Sequence, residues 1–299
     1  MTQPALTVAS LIRDQPLRKA CATWLPEGRY EVLELGLQQD PAAELERCWD
    51  QVDAVLLEPG VLSNETFQRL RAQGMVLPAV VVGQISGQME YFQDEIRLPP
   101  DQMEQLSYSL DAAISRCLRR RSSRPSSDHL EGGDSQEEVG EQPNWRLPHR
   151  LQERLGYLGV FYKRDSSRFL RNLPAAERSV LLRSLQRTYR DLLISYFRDP
   201  AAANQAIESF VNTAFFIDLP ITKTVEIHVN MIDDFWKKLQ LEGHKQDFLK
   251  DYRLALLDVM AHLCEMYRRS LPPEVPSMTA GEGDESMAPK VIMASQVQS

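Results

Sequence analysis

Residues 251–272 read DYRLALLDVMAHLCEMYRRSLP and decide the fold of the second half of this chain. Apolar side chains recur there at steps of three and four residues, which is the period of one helical face. They are Tyr252, Leu256, Val259, Leu263 and Tyr267, and Phe248 continues the series just upstream. A polar row follows the opposite side and consists of Asp251, Asp258, His262, Glu265 and Arg269. The pattern predicts an amphipathic helix, with the polar row as either solvated surface or the edge of a recognition groove.

The same helical pattern extends upstream and predicts an all-α domain over residues 145–272. A short turn is predicted at 165–172, and helices at 145–158, 174–197, 200–217, 220–241 and 246–270. Prolines stand at the helix starts, where the missing N–H costs nothing. Gly243 and Pro272 follow helix ends, where they act as stop signals. Four longer helices after a lead-in helix predict a four-helix bundle.

The first 118 residues alternate short β-rich runs with helical stretches. Strands are predicted at 6–12, 30–35, 52–57 and 78–83, and helices at 15–25, 41–50, 64–73 and 101–118. Such β-α-β alternation predicts a parallel, flavodoxin-like sheet with helices on both faces. Residues 119–144 have few apolar side chains and many charges, so we expect them to form a flexible linker. Residues 273–299 form an expected disordered tail.

Composition limits the function. With 42 acidic against 34 basic residues, the net charge is -8, which argues against a nucleic-acid binder. No apolar run is long enough to span a bilayer and Met1 is not followed by a basic signal start, so we expect a cytoplasmic protein without a membrane partner. The four cysteines and five histidines are dispersed, so no metal site is expected.

Residues 53–59, DAVLLEP, resemble the third strand of a response-regulator receiver domain, with Glu58 at the position of the phospho-accepting aspartate. Receiver chemistry also needs an acidic pair for magnesium, a hydroxyl residue and a lysine. At those places the chain has Leu11 and Ile12, then Gly83, then residues 96–99 without lysine. A pseudo-receiver is therefore predicted. Glu58 is either an exposed strand-end residue or a permanent charge that mimics a phosphorylated aspartate.

Three blocks of the helical half closely resemble the KaiA family of cyanobacterial circadian clock proteins: RLQERLGYLGVFYKRD at 150–165, FFIDLPITKTVEIH at 215–228, and residues 251–272. The resemblance implies a homodimer in which the pseudo-receiver of one chain crosses to the helical domain of the other. It implies that the dimer captures the C-terminal tail of the KaiC hexamer and stimulates KaiC autophosphorylation, and that KaiB docked on KaiC later sequesters it. It also raises oxidised quinones as a ligand of the pseudo-receiver, although residues 1–118 show no cofactor motif.

The residues expected to bind the partner lie on the last two helices. The first candidate is His262, either a peptide contact or a structural histidine, with Asp258 and Glu265 one turn to each side. Thr222, Lys223 and Glu226 are further candidates. His228 lies on a stripe formed by Ile221, Val225, Ile232, Phe235 and Leu239 and is expected in the core or at a dimer interface. Tyr157 and Tyr162 are expected either to support dimerisation or to pack in the core.

No catalytic constellation accompanies these residues, so a non-enzymatic activator of a partner kinase is the favoured function. One alternative is a phosphorelay response regulator with a helical output domain. Another is an enzyme that uses His262 as a base oriented by Asp258. An i, i+4 pair of this kind is common on helices, and no nucleophile or oxyanion donor set stands beside it.

Overall fold

The computed structural model describes residues 6–25, 28–36, 40–91, 95–122, 164–241 and 251–270. The predicted helix at 145–158 lies outside these residues, as do Tyr157, Tyr162, Phe248, most of the linker and the tail. Within the described helices, none is long and apolar enough to cross a membrane.

The N-terminal half contains a parallel five-stranded sheet in the order β2-β1-β3-β4-β5. The strands are β1 (Leu6–Leu11), β2 (Tyr30–Glu34), β3 (Ala54–Leu57), β4 (Ala79–Val82) and β5 (Ile96–Leu98). All four predicted strands are confirmed, and β5 is an additional one. Every residue of β3 and β4 is buried, as expected when helices cover both faces of a parallel sheet.

Four helices accompany the sheet: α1 (Gln15–Trp24), α2 (Pro41–Cys48), α3 (Asn64–Ala72) and α4 (Leu106–Ser122), the last preceded by a 3-10 helix at Pro100–Gln105. Asp40 and Ser63 begin α2 and α3 as side-chain caps that accept from the Ala42 and Thr66 amides. The predicted flavodoxin-like arrangement is confirmed.

The C-terminal half is helical, as predicted. After 3-10 turns at Ser166–Arg168 and Leu170–Asn172 come α5 (Ala175–Ser195), α6 (Pro200–Phe216), α7 (Ile221–Leu241) and α8 (Arg253–Ser270). Twelve of the 17 residues of α6 are buried, so this helix is covered on nearly all sides. It packs between α5, α8 and the receiver elements α4 and β5.

The predicted packing face of α8 is confirmed, since Val259 and Leu263 are buried and Tyr252, Leu256 and Tyr267 are half-buried.

The two halves pack directly against each other through a polar and apolar junction. Gln105 Nε2 donates to Ser184 Oγ at 2.9 Å and to Thr188 Oγ1 at 2.8 Å, all in buried positions. On the opposite side of the junction, Arg116 pairs with Glu208 at 3.2 Å. This junction is seen between the two halves of a single chain. Residues 123–163, which connect the halves, are outside the described ranges.

Candidate functional site

The degenerate phosphoacceptor Glu58 is tied to the loop after β1. Its Oε2 accepts the amide N–H of Arg13 at 2.6 Å and that of Asp14 at 3.0 Å. Arg13 also donates through Nη2 to the Gly60 carbonyl oxygen at 3.3 Å, which is a second link between the loop after β1 and the segment that follows Glu58. Glu58 is therefore half-buried rather than exposed. Its carboxylate joins the carboxyl ends of β1 and β3, where a receiver would hold its phosphoryl group and magnesium.

At Gly83, where a receiver domain carries its hydroxyl residue, Pro59 occupies the space that a side chain would need. A Cβ placed on Gly83 would lie 2.5 Å from Pro59 Cγ, so a serine or threonine side chain does not fit there. Among the described residues, no three or more His, Cys, Asp or Glu side chains are grouped so that they could hold a metal ion. The hydrogen bonds of Glu58 thus fix the loop after β1 against the end of β3.

Arg97 organises the loop that follows β4. Although it is in β5 and 5% exposed, it donates to the carbonyl oxygens of Gln84 at 3.1 Å and Gln88 at 2.8 Å. Glu90 lies 3.5 Å from the same guanidinium and accepts the Gly60 amide at 3.2 Å. The loop at 84–90 is thereby linked back to the segment that follows Glu58.

The same loop contacts the helical half. Gly87 N donates to Gln205 Oε1 at 2.9 Å, and Gln205 Nε2 donates to the Gln88 carbonyl oxygen at 3.0 Å. Sequence reasoning missed this contact, because the two partners are 118 residues apart and neither belongs to a motif. One signal was present: the helix predicted at 101–118 has apolar residues on more than one side, so a second layer had to cover it.

His262 and Asp258 contact each other at the surface of α8, and Glu265 follows His262 by three residues on the same helix. His262 Nδ1 lies 2.9 Å from the Asp258 carbonyl oxygen and 3.2 Å from its Oδ1, so a hydrogen on Nδ1 points into its own helix. In the tautomer that carries its hydrogen on Nδ1, Nε2 is the acceptor. Tyr196 OH donates to Asp258 Oδ2 at 3.4 Å, which orients the carboxylate from α5. His262, Asp258 and Tyr196 therefore form a hydrogen-bonded polar cluster at the surface of α8.

Glu265 stands between two cations on the same face. Its carboxylate accepts hydrogen bonds from Arg268 and Arg269, and these bonds lower the pKa of Glu265 to about 2. The group therefore stays charged throughout the physiological range. Leu254, one turn before Asp258, is 53% exposed, so the surface of α8 combines charged and apolar contacts.

On α7 the predicted partner residues Thr222 and Glu226 are exposed, and Lys223 Nζ pairs with Glu226 Oε1 at 2.6 Å. The predicted stripe is divided in the single chain: Ile221 and Val225 are exposed, and the side buried within the chain is centred on Thr224 and Ile227. Apolar residues occupy more than half of the circumference of α7, so periodicity could not identify which part packs within the chain. An exposed apolar row remains, formed by Val225, Val229 and Trp236.

His228 belongs to the core of its own chain. It is 5% exposed, and its Nδ1 lies 3.0 Å from the hydroxyl oxygen of the buried Tyr189. Burial lowers the pKa of His228, so the imidazole is neutral near pH 7. The core interpretation of this histidine is confirmed.

This burial predicts a pH dependence of stability. Below the ordinary histidine pKa of about 6.5, His228 binds a proton more readily in the unfolded chain than in the folded one. The free energy of unfolding therefore falls as the pH drops. We expect His228→Gln, which stays neutral, to reduce the loss of stability between about pH 7.5 and about pH 5.5 in urea titrations. Arg183→Gln, at an exposed position on α5, is the control and should keep the wild-type slope. An unchanged slope in His228→Gln would contradict the assignment.

Comparison with known proteins places these features in one family. Residues 6–120 match the model described as circadian clock protein KaiA, N-terminal domain, and residues 153–274 match the KaiA C-terminal domain. The circadian clock oscillator protein KaiA of Parasynechococcus marenigrum (strain WH8102) is 55% identical over 284 residues, 92% of each chain. Its counterpart in Synechococcus elongatus (strain ATCC 33912 / PCC 7942 / FACHB-805) is 42% identical over 285 residues, 90% of this chain and 98% of the relative.

Among solved structures, the C-terminal domain of Thermosynechococcus elongatus BP-1 KaiA is 50% identical and covers 33% of this chain and 93% of its own, at a TM-score of 0.30. The matches to the curated relatives span both halves of the chain and nearly the full length of those relatives. The chain therefore belongs to the KaiA family of circadian clock oscillator proteins.

Proposed function

We propose that this chain is a non-enzymatic clock component that binds the C-terminal tail of the KaiC hexamer and stimulates KaiC autophosphorylation. The observation that carries the proposal is the exposed face of α8, where His262, Asp258 and Glu265 lie beside Leu254. A peptide needs such a mixture, because backbone groups must be hydrogen-bonded while apolar side chains leave water. Relatives that carry the clock-oscillator name support the same role.

The proposal includes a homodimer. Val225, Val229 and Trp236 form the apolar row of α7, and Leu254 and Leu257 are 53% and 64% exposed on α8. Large exposed apolar side chains grouped along a helix are typical of surfaces that another protein covers. Pairing of two copies through these rows would place two α8 surfaces in one assembly and create a groove for a peptide.

Activation then works through differential affinity. The dimer binds the KaiC tail only in its extended state. Binding therefore shifts the equilibrium of the tail from the packed, autoinhibited state to the extended one. A reversal from 1:99 to 99:1 needs a preference of about 5.5 kcal/mol. A peptide ordered along a groove with several hydrogen bonds and buried apolar side chains can supply this preference. KaiB docked on KaiC would end activation by sequestering the dimer.

The remaining parts of the proposal rest on composition and on family resemblance. We place the protein in the cytoplasm, without a nucleic-acid or membrane partner. Oxidised quinones are the input ligand proposed for the pseudo-receiver, and the activation of KaiC requires no resident cofactor.

Replacement of His262 tests the surface directly. We expect His262→Ala to fold normally, because the side chain is exposed, and to stimulate KaiC phosphorylation less than the wild type, because an acceptor for the bound tail is lost. The measurement is the initial rate of KaiC phosphorylation at several activator concentrations. Arg183→Ala on α5, also exposed, is the control. Equal stimulation by the wild type and His262→Ala would remove His262 from the surface.

A further inference from the structure

A groove of about 490 Å³ opens at the end of the helical domain where α8 finishes. Its floor is apolar and is formed by Leu170, Leu219, Ile221 and Tyr267. The elements that meet there are the 3-10 turn at Leu170–Asn172, the start of α7 and the last turn of α8. An apolar floor of this size, open to solvent, is typical of a site for an extended segment of chain.

The rim of the groove is positively charged. Asp218 on the rim is paired twice, with Arg164 at 2.8 Å and with Arg171 at 3.1 Å. Arg178 donates to the carbonyl oxygen of Leu173 at 3.1 Å. Because this acceptor is uncharged, it does not neutralise the positive charge of Arg178. Three arginines thus stand against one carboxylate, and the rim favours an acidic occupant.

The chain itself supplies a segment of complementary chemistry immediately beside the groove. Residues 271–299 follow Ser270, and Tyr267 on the floor is only one helical turn earlier. They begin LPPEVP, which combines two apolar side chains, three prolines and Glu274. Further along, Glu282, Asp284 and Glu285 stand against a single cation, Lys290. At about 3.3 Å per residue, residues 271–275 reach about 16 Å, enough to follow the groove.

We propose that residues 271–279 of the same chain occupy this groove. Leu271 and Val275 lie on the apolar floor, and Glu274 faces Arg171 and Arg178. Proline-rich segments are suited to this role, because they lose little conformational entropy when they dock in an aromatic-lined groove. The short tether gives the segment an effective concentration in the millimolar range, so contacts too weak for a free peptide suffice. Val275 and the residues after it lie beyond the match to the KaiA C-terminal domain, which covers residues 153–274.

Photo-crosslinking of the full-length protein tests the proposal. Tyr267→p-benzoylphenylalanine places a photoreactive ring on the floor, and the same residue at Leu257, 64% exposed on α8, is the control position. After irradiation, mass spectrometry of proteolytic fragments should find Tyr267-site crosslinks to residues 271–279 and none to that segment from the Leu257 site. A mixture of ¹⁵N-labelled and unlabelled chains distinguishes a crosslink within one chain from one between copies.

A charge reversal sharpens the test. Arg178→Glu should lower the yield of the tail crosslink by about fivefold, the upper end for one exposed ion pair, whereas Arg183→Glu on the same helix should leave it unchanged. Crosslinks from the Tyr267 site to another segment, or to the tail of a second copy, would overturn the proposal. So would a tail crosslink that is insensitive to Arg178→Glu, because the charged rim would then play no part. None of these outcomes depends on KaiC, so the proposed activator function stands or fails separately.

Discussion

Asp111→Ala is expected to lower the free energy of unfolding by about 3–5 kcal/mol, the range for breaking a buried ion pair from one side. The Asp111 side chain is 9% exposed and lies between two arginines, with Arg29 Nη2 at 3.1 Å and Arg168 in close contact. Tyr30 OH adds a third hydrogen bond at 3.3 Å. Removal of the carboxylate would leave two poorly hydrated guanidinium groups next to each other.

This cluster also joins the two halves of the chain. Arg168, in the turn before the helical domain, lies over the ring of Tyr108 at 4.3 Å and donates to Ser107 Oγ at 2.7 Å. Arg29 contacts Asp165 at 3.0 Å. Urea titration followed by far-UV circular dichroism measures the effect. Glu44→Ala, which removes a pair with the largely exposed Arg47, is the matched control and should cost little. Similar losses in the two variants would contradict the structural role of Asp111.

Gly87→Ala is expected to cost about 2–4 kcal/mol, from two separate causes. Gly87 has a φ of 71°, a conformation that strains any residue with a Cβ. In addition, the new Cβ would lie 2.8 Å from Ala201 Cβ and 2.9 Å from Ala202 N, both at the start of α6. The substitution would push the loop at 84–90 away from the helical domain and break the Gly87–Gln205 hydrogen bond.

Gly60→Ala separates the two causes. Gly60 has nearly the same φ of 72°, but nothing lies within 4 Å of a Cβ placed there. Gly60→Ala should therefore lower the free energy of unfolding by only about 1–2 kcal/mol, the contribution of the strained backbone alone. The measurement is again the free energy of unfolding in urea. Equal losses at the two positions would show that the contact between loop 84–90 and α6 does not stabilise the folded chain.

Local pattern predicted most of the secondary structure but not β5. The four other strands are recognisable as short β-rich runs between helical stretches. The three residues of β5 have an arginine at their centre, which argues against a buried strand. Arg97 is tolerated there because carbonyl oxygens from the preceding loop accept its hydrogen bonds, an arrangement that only the folded chain reveals.

The candidate site was only partly accessible to sequence reasoning. Helical spacing placed Asp258, His262 and Glu265 on one side of α8, and the structure shows the contact between Asp258 and His262. The role of Glu58 depends on amides 44 and 45 residues away, so its half-buried, hydrogen-bonded state could not be predicted locally. On α7, apolar residues surround most of the helix, and tertiary packing alone decided that His228 turns inward while Val225 faces solvent.

The most direct test of the central claim is a time course of KaiC phosphorylation with ATP and magnesium, with and without this chain, beside a reaction that contains this chain alone. Our account predicts that phosphorylated KaiC accumulates faster and to a higher level when the chain is present, while the chain itself takes up no label. KaiC phosphorylation that is unchanged by the chain, or label that appears on the chain alone, would contradict it.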